Sequence, residues 1–383
     1  MEISQKALKL HRKLKGKISV FPKVKIKTKK DLSLVYTPGV ATVSSYLAKH
    51  KDQTSEYTFK HNSVAIISDG SAVLGLGNIG PEGALPVMEG KALLFKLFAD
   101  IDAVPIVLST QDPQKIIDTV LAIAPTFGGI NLEDIAAPYC FIIEEELRKN
   151  LNIPVVHDDQ WGAAVVGLAA LINALKVVNK KFAEVKIVIS GAGAAGSATT
   201  KILVSYGAKN IVVCDRKGII FRGRDRERQN LSLINHKEEL ASITNPQNVK
   251  GTLADALKNA DVFIGFSAPG LVSKNMVAKM NKKPIIFALA NPVPEILPAD
   301  AKKAGAYIVA TGRSDVPNQV NNSLSFPGVF RGALDHKVKQ ISLKMLIGAA
   351  ENLASLIENP TPEKIIPSIF DKRVVKVVAS AIK

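Results

Sequence analysis

Four carboxylates stand in two adjacent pairs, Glu133–Asp134 and Asp158–Asp159. The first pair follows GINL, a short apolar run that reads as a strand, and the second lies in IPVVHDDQ, which reads as a strand ending in His157, Asp158 and Asp159. In open α/β sheets, ligands bind at the C-terminal tips of strands, where both pairs fall. Carboxylates gathered there repel one another unless a cation lies among them, and hard oxygen donors suit Mg²⁺ or Mn²⁺. No Cys/His spacing suggests zinc. His157 is either a further ligand or a structural strand-end histidine. The competing reading is that each pair only caps the following helix, Asp159 standing just before WGAAVVGLAALINAL. The residues alone leave both readings open.

The second chemical signature is VKIVISGAGAAGSATTKILVSYGAKNIVVCD, residues 185–215. An apolar β-branched run leads into Gly191, Gly193 and Gly196, spaced G-x-G-x-x-G, with Ala194 and Ala195 opening a helix that Gly207 stops. The first glycine permits the tight turn, the second lets backbone approach a pyrophosphate, and the third lets helix and strand pack closely. The helix N-terminus offers N–H groups to the phosphates. Asp215 ends the next strand, where a carboxylate accepts from a ribose 2′-OH. A further strand and turn, VFIGFSAPG, brings Ser267 to the same edge. This context predicts dinucleotide binding, with NAD preferred. Arg216, Lys217, Arg222, Arg224, Arg226 and Arg228 can soften the repulsion of a 2′-phosphate, so NADP is also accepted.

Other reactive residues are ambiguous in isolation. Lys91 lies between a stretch crowded with Gly75, Gly77, Gly80 and Gly83 and the helical pattern MEGKALLFKLFADI. If buried, its pKa falls and it becomes a general base; the alternative is an exposed helix lysine. Tyr36 precedes a Pro38–Gly39 turn, and that segment alone favours a packed tyrosine. Asn291 ends a strand, while Asn318, Asn321 and Asn322 share a loop. Each is a neutral donor to a carboxylate or an ordinary turn residue.

These residues need a scaffold. Strands at 64–68, 104–109, before Glu133 and before Asp158 alternate with helices, so the N-terminal half forms its own parallel-type sheet. The segment ISVFPKVKIK reads as an edge strand beyond a basic N-terminal helix. Residues 161–178 form a long apolar helix near a domain boundary. Residues 218–247 form a polar, helix-bearing excursion, and helices at 338–357 and in RVVKVVASAIK close the chain. With 383 residues there is room for two domains. The net charge of +16 is spread along the chain without interleaved aromatics. It reads as a solvated lysine-rich surface that draws in acidic substrates, not a nucleic-acid footprint. Cys140 and Cys214 sit in apolar runs as buried free thiols, and the N-terminus lacks a signal-peptide core. A cytoplasmic location, with no membrane or nucleic-acid partner, is expected.

Several segments, in order from about residue 5 to about residue 350, resemble the short bacterial and archaeal malic enzymes: SLVYTPGVA, VAIISDGSAVLGLGNIGPEGALPVMEGKALLFK, INLEDIAAP, VVHDDQWGAAVV, ISGAGAAG, ANPVPE and ATGRSDVPNQVNNSLSFPG. The resemblance implies an α/β fold in two domains. Residues 1–160 would be the catalytic, metal-binding domain. Residues 161–383 would be a Rossmann-type doubly wound parallel sheet with a helical tail. It implies oxidative decarboxylation of L-malate to pyruvate and CO₂ with NAD or NADP and Mg²⁺ or Mn²⁺, in a homodimer. Tyr36 would be the general acid, Lys91 the general base and Asp158 its support. Glu133, Asp134 and Asp159 would hold the metal. Asn291 and Asn322 would hold malate, with Asn321 beside them. Malolactic and oxaloacetate-decarboxylating activities share such a site. A nucleotide-sensing regulator with a degenerate site is the non-enzyme alternative, and the intact Tyr36, Lys91 and four carboxylates speak against it. Two departures stand out. Trp161 and Ala163 replace the usual residues of the HDDQ segment. Ser71 and Ala72 follow Asp69–Gly70 where large-form enzymes carry a carboxylate-binding arginine.

Overall fold

The computed structural model describes residues 3–73, 75–224 and 231–383. Two sheets organise them. The first holds β1 (Ser63–Ser68), β2 (Asp102–Val107), β3 (Gly129–Leu132) and β4 (Val155–His157) in the order β2-β1-β3-β4, all parallel. The second holds β5 (Lys186–Ser190), β6 (Asn210–Asp215), β7 (Gly218–Ile219), β8 (Val262–Gly265), β9 (Ile285–Ala288) and β10 (Ile308–Thr311). Its order is β10-β9-β8-β5-β6-β7, with only β7 antiparallel. Runs such as VAII and IVIS are buried throughout, as parallel strands covered on both faces require. Strand order reverses direction at β1 and at β5, and such switch points open a crevice at the C-terminal edge.

Register then sets the chemistry. Leu132 pairs with His157, so the next residues, Glu133 and Asp158, leave neighbouring strands at one level. Ser190 pairs with both Cys214 and Gly265, which brings Gly191, Asp215 and Phe266 to one edge.

The Asp158–Val178 helix is the spine of the molecule. It ends at Asn179, whose left-handed backbone (φ 56°) is a common helix stop. It is long and apolar enough to cross a membrane, but 72% of its most apolar stretch is buried inside the protein. Its Val165, Leu168 and Leu171 belong to one continuous core with Val64, Ile66 and Phe95 on one side and Ile187, Ile264 and Phe287 on the other.

Several expectations shift. The segment ISVFPKVKIK forms no strand; Val20 and Phe21 are exposed, and Pro22 removes a ladder donor where no neighbouring strand lies. The helix expected after Pro86 already starts at Gly80, so Gly80 and Gly83 belong to the helix Gly80–Ala99 and not to a loop. Strand β4 ends at His157, and Asp158 and Asp159 form the first turn of the next helix. The closing helix is Leu343–Ser355, because the Ser342 side chain accepts from Met345 N and fixes its start. Arg226 and Arg228 lie outside the described residues.

Candidate active site

Lys91, on the Gly80–Ala99 helix, is buried beneath the tips of β3 and β4. Its Nζ donates to Asp158 Oδ2 at 2.5 Å and to Glu133 Oε2. Asn322 Nδ2 also donates to Asp158 Oδ2, at 2.5 Å, and Asn131 Nδ2 to Glu133 Oε2 at 3.0 Å. The Asp134 amide donates to Asp159 Oδ2 at 2.7 Å. Asp158 folds back over Gly162, where a Cβ would come within 2.0 Å of Asp158 Oδ1 and would displace that carboxylate. Asp134 holds a left-handed backbone, φ 54°, a conformation that non-glycine residues adopt mainly where surrounding structure imposes it.

Burial pushes the Glu133 and Asp158 carboxyls up to about 7, with Lys91 opposing, and Asp159 is raised by the same cause. For Lys91 burial acts to lower the pKa, but Asp158 and Glu133 outweigh it and hold the ammonium above its usual range. This corrects the expectation that burial makes Lys91 neutral. Carboxylate oxygens of Glu133, Asp134 and Asp159 lie within 4.8 Å of one another. Among the described residues, Asp158 Oδ1 and both His157 ring nitrogens are buried without a hydrogen-bond partner, and His157 Nε2 lies 3.5 Å from Asp159 Oδ2. Three hard oxygen donors, two of them buried, with burial raising the Glu133 and Asp159 carboxyls above their usual range, fit a divalent cation such as Mg²⁺ or Mn²⁺.

A cavity of about 750 Å³ opens along the second sheet, lined by Ser190–Gly193, Asp215, His236, Lys237, Thr252 and Ser267 among others. Gly196 lets the Ala194–Tyr206 helix close on the turn; a Cβ there would stand 1.8 Å from Gly191 O. No atom lies within 4 Å of a Cβ built on Gly193, which leaves the cradle that a pyrophosphate needs. Ala194 and Ala195 open the helix beside it. Ser267 is fixed by Glu295, which accepts from its N (2.8 Å) and Oγ (3.1 Å), and by Ser190 Oγ at 3.0 Å. Asp215 is far from a bare acceptor. Arg224 grips it through Nη1 (3.1 Å) and Nη2 (2.7 Å), and Lys237 Nζ lies 2.5 Å from Oδ2. Burial works to raise the Asp215 pKa, but these two cations outweigh it and hold the carboxyl below the usual range.

The remaining residues divide. Asn322 joins the carboxylates. The carbonyl of Asn291 lies against Gly75, where a Cβ would come within 2.0 Å, so Asn291 sits where the two sheets' loops meet. Asn321 Oδ1 accepts from Ser323 N and caps the short helix Asn322–Leu324. Asn318 is occupied in structure, donating to Val309 O and Pro362 O and accepting from Ile365 N. Tyr36 is 66% exposed and caps the Lys29–Val35 helix; neither that helix nor its neighbours Ile3–Leu14 and Gly39–Lys49 bury a residue. Ser71, in place of an arginine, donates to Asp69 Oδ1 at 2.6 Å and accepts from Ala136 N at 2.8 Å. Sequence reasoning missed Glu144, Lys237 and Glu295. Only Glu295, in ANPVPE, fell inside a quoted motif.

The arrangement matches known proteins along its length. The family model of the malic enzyme N-terminal domain matches residues 15–148, and that of the malic enzyme NAD binding domain matches residues 161–382. The chain is 53% identical to a bifunctional malic/malolactic enzyme of Bacillus subtilis, covering 100% of this chain and 92% of that protein. It is 51% identical to an NAD-dependent malic enzyme of Geobacillus stearothermophilus, covering 100% of this chain and 78% of that one. The crystal structure of an NAD-dependent malic enzyme from Thermotoga maritima superposes with a TM-score of 0.94 at 53% identity over 98% of each chain. Two mainly parallel sheets each with a switch point, a carboxylate trio beside a buried lysine, and these matches over both halves lead to one conclusion: the chain belongs to the malic enzyme family.

Proposed function

We propose that the protein catalyses metal-dependent oxidative decarboxylation of L-malate to pyruvate and CO₂ with reduction of NAD or NADP. The observation that carries this reading is Lys91 held between Asp158 and Glu133 beside the Glu133–Asp134–Asp159 trio. Lys91 takes the C2-hydroxyl proton while hydride leaves for the nicotinamide. It can do so only after losing its own proton, which the flanking carboxylates oppose; a cation competing for Glu133 would remove one of them. Asp158 keeps Lys91 in place. Asn291 and Asn322 hold malate, and Asn321 orders the loop that presents Asn322. Mg²⁺ or Mn²⁺ held by Glu133, Asp134 and Asp159 would polarise the oxygen at C2 and stabilise the enolate left by CO₂. Tyr36 protonates C3, a step suited to a phenol that stays protonated at neutral pH.

One steady-state assay with malate, Mn²⁺ and each cofactor tests the reading: net NADH or NADPH with pyruvate is the expected result. Lactate without net reduced cofactor would show malolactic activity instead, a second reading favoured by the Bacillus subtilis relative's name. No turnover of malate would leave a nucleotide-binding regulator. In Tyr36→Phe, NADH formation in a single turnover is expected to survive about 10-fold better than pyruvate formation. Equal losses in both would remove Tyr36 from the protonation step.

Cofactor choice rests on Asp215. Charges about 4 Å apart near a surface are worth on the order of 1–4 kcal/mol, enough for tenfold discrimination either way. The carboxylate favours the 2′-OH of NAD, while Arg224 and Lys237 offer a 2′-phosphate two cations. NAD is expected to be preferred, with measurable NADP activity, and Asp215→Ser is expected to move the kcat/KM ratio toward NADP. A wild type that already favours NADP, or an unchanged ratio in the variant, would remove Asp215 from that role.

The same reading includes a homodimer. Ile3, Leu8, Val20, Phe21 and Leu34 are each more than half exposed on an N-terminal segment whose helices bury nothing. So much apolar surface is rarely left to solvent, and a second copy covering it would also enclose Tyr36. Sedimentation velocity of the intact protein reads this directly, and a monomer at micromolar concentration would count against it. A division into domains at residues 160/161 and a cytoplasmic location complete the proposal. Two separate sheets support the first, and two buried free thiols the second.

A further inference from the structure

Glu144 lies on the Tyr139–Asn150 helix, outside every group named so far in the chemistry, and is 5% exposed. A buried carboxylate needs donors, and this one has four contacts. Its Oε1 accepts from His157 N at 3.0 Å and from Trp161 Nε1 at 2.9 Å. Its Oε2 accepts from Gln160 Nε2 at 2.8 Å and from the same indole nitrogen at 3.1 Å. All of these donors belong to His157–Trp161, the five residues that carry Asp158 and Asp159 between them. One carboxylate therefore ties both ends of the segment that places a metal-site oxygen and the partner of Lys91. The helix that follows cannot supply this hold itself, since its N-cap residue, His157, makes no side-chain capping bond.

From this geometry we infer that Glu144, through the Trp161 indole, is a positioning residue for the metal site. It rests on the reading of Glu133, Asp134 and Asp159 as metal ligands. Trp161 thereby has a purpose: its ring N–H completes the set of donors that the carboxylate requires. Outer partners of this kind typically change metal affinity by about 10–100-fold when removed.

The test is Mn²⁺ affinity, read from the electron paramagnetic resonance signal of free Mn²⁺ in the absence of malate, with NADH affinity and melting temperature measured alongside. Glu144→Ala is expected to weaken Mn²⁺ binding by about 10–100-fold while NADH binding stays unchanged. Trp161→Phe deletes one donor and is expected to weaken it less, and Trp161→His, which restores a ring N–H, to recover affinity. Glu144→Gln, which keeps the shape but only one acceptor oxygen, is expected to fall between wild type and Glu144→Ala. Should the alanine variant fail to fold, the glutamine and phenylalanine variants carry the test. The chain has a single tryptophan, so Mg²⁺ binding to wild type is also expected to shift its emission, and the shift to shrink in Glu144→Gln. Folded Glu144 and Trp161 variants with Mn²⁺ affinity within twofold of wild type would overturn the inference. A wild type that binds no Mn²⁺ would instead overturn the metal reading beneath it.

Discussion

Lys91→Ala is expected to slow single-turnover hydride transfer from malate to NAD by about 10²–10⁴-fold, the usual loss when a positioned acid–base group is removed. Nothing nearby replaces it: no other lysine or arginine pairs with Glu133 or Asp158 among the described residues. The substitution also strips two buried carboxylates of their cation, and breaking such a pair from one side costs about 3–5 kcal/mol of stability. The measurement therefore needs saturating Mn²⁺, which would compensate Glu133, and an NADH-binding control to show that the second sheet is intact. Hydride transfer within a few-fold of wild type would remove Lys91 from the role of base.

Asp134→Ala is expected to abolish malate turnover in excess Mn²⁺ while NADH still binds. Charge stabilisation by a metal is worth several kcal/mol, and each 1.36 kcal/mol is tenfold, so the loss is at least about 10³-fold. Alanine at φ 54° adds backbone strain that could be mistaken for a lost ligand. Asp134→Asn separates the two, because asparagine accepts that backbone and keeps the shape while discarding the charge. If the asparagine variant fails with alanine, charge is the cause. If it retains full activity, Asp134 is not a metal ligand.

Much of this was readable from residues. Both strand–glycine–helix and strand–acid–acid patterns are local, and parallel register does the rest by bringing Glu133 and Asp158 level. What stayed hidden depends on contacts distant in sequence. The Lys91 ammonium is 42 residues from Glu133 and 67 from Asp158, so local sequence predicts only the lowering by burial and not the larger raising by the two carboxylates. Arg224, one of the cations the sequence places near Asp215, does pair with it, whereas Lys237, 22 residues on, carries no motif that points there. ISVFPKVKIK has a strand's alternation, yet a strand needs a neighbour, and no local pattern reports whether one exists.

The Asp158–Val178 helix shares one apolar core with both sheets. The two halves are therefore coupled in their thermodynamics, although each matches a family model of its own. A dinucleotide bound at 100 times its dissociation constant adds about 2.7 kcal/mol to whatever unfolds cooperatively with its site. Here that unit includes β1 and the Lys91 helix, whose amides would gain hydrogen-exchange protection from a cofactor bound along the other sheet. Cutting the chain at residue 160 would separate Val165, Leu168 and Leu171 from the part of their common core that Val64, Ile66 and Phe95 supply. The second half alone is thus an aggregation hazard, and heat should melt the intact protein in one transition.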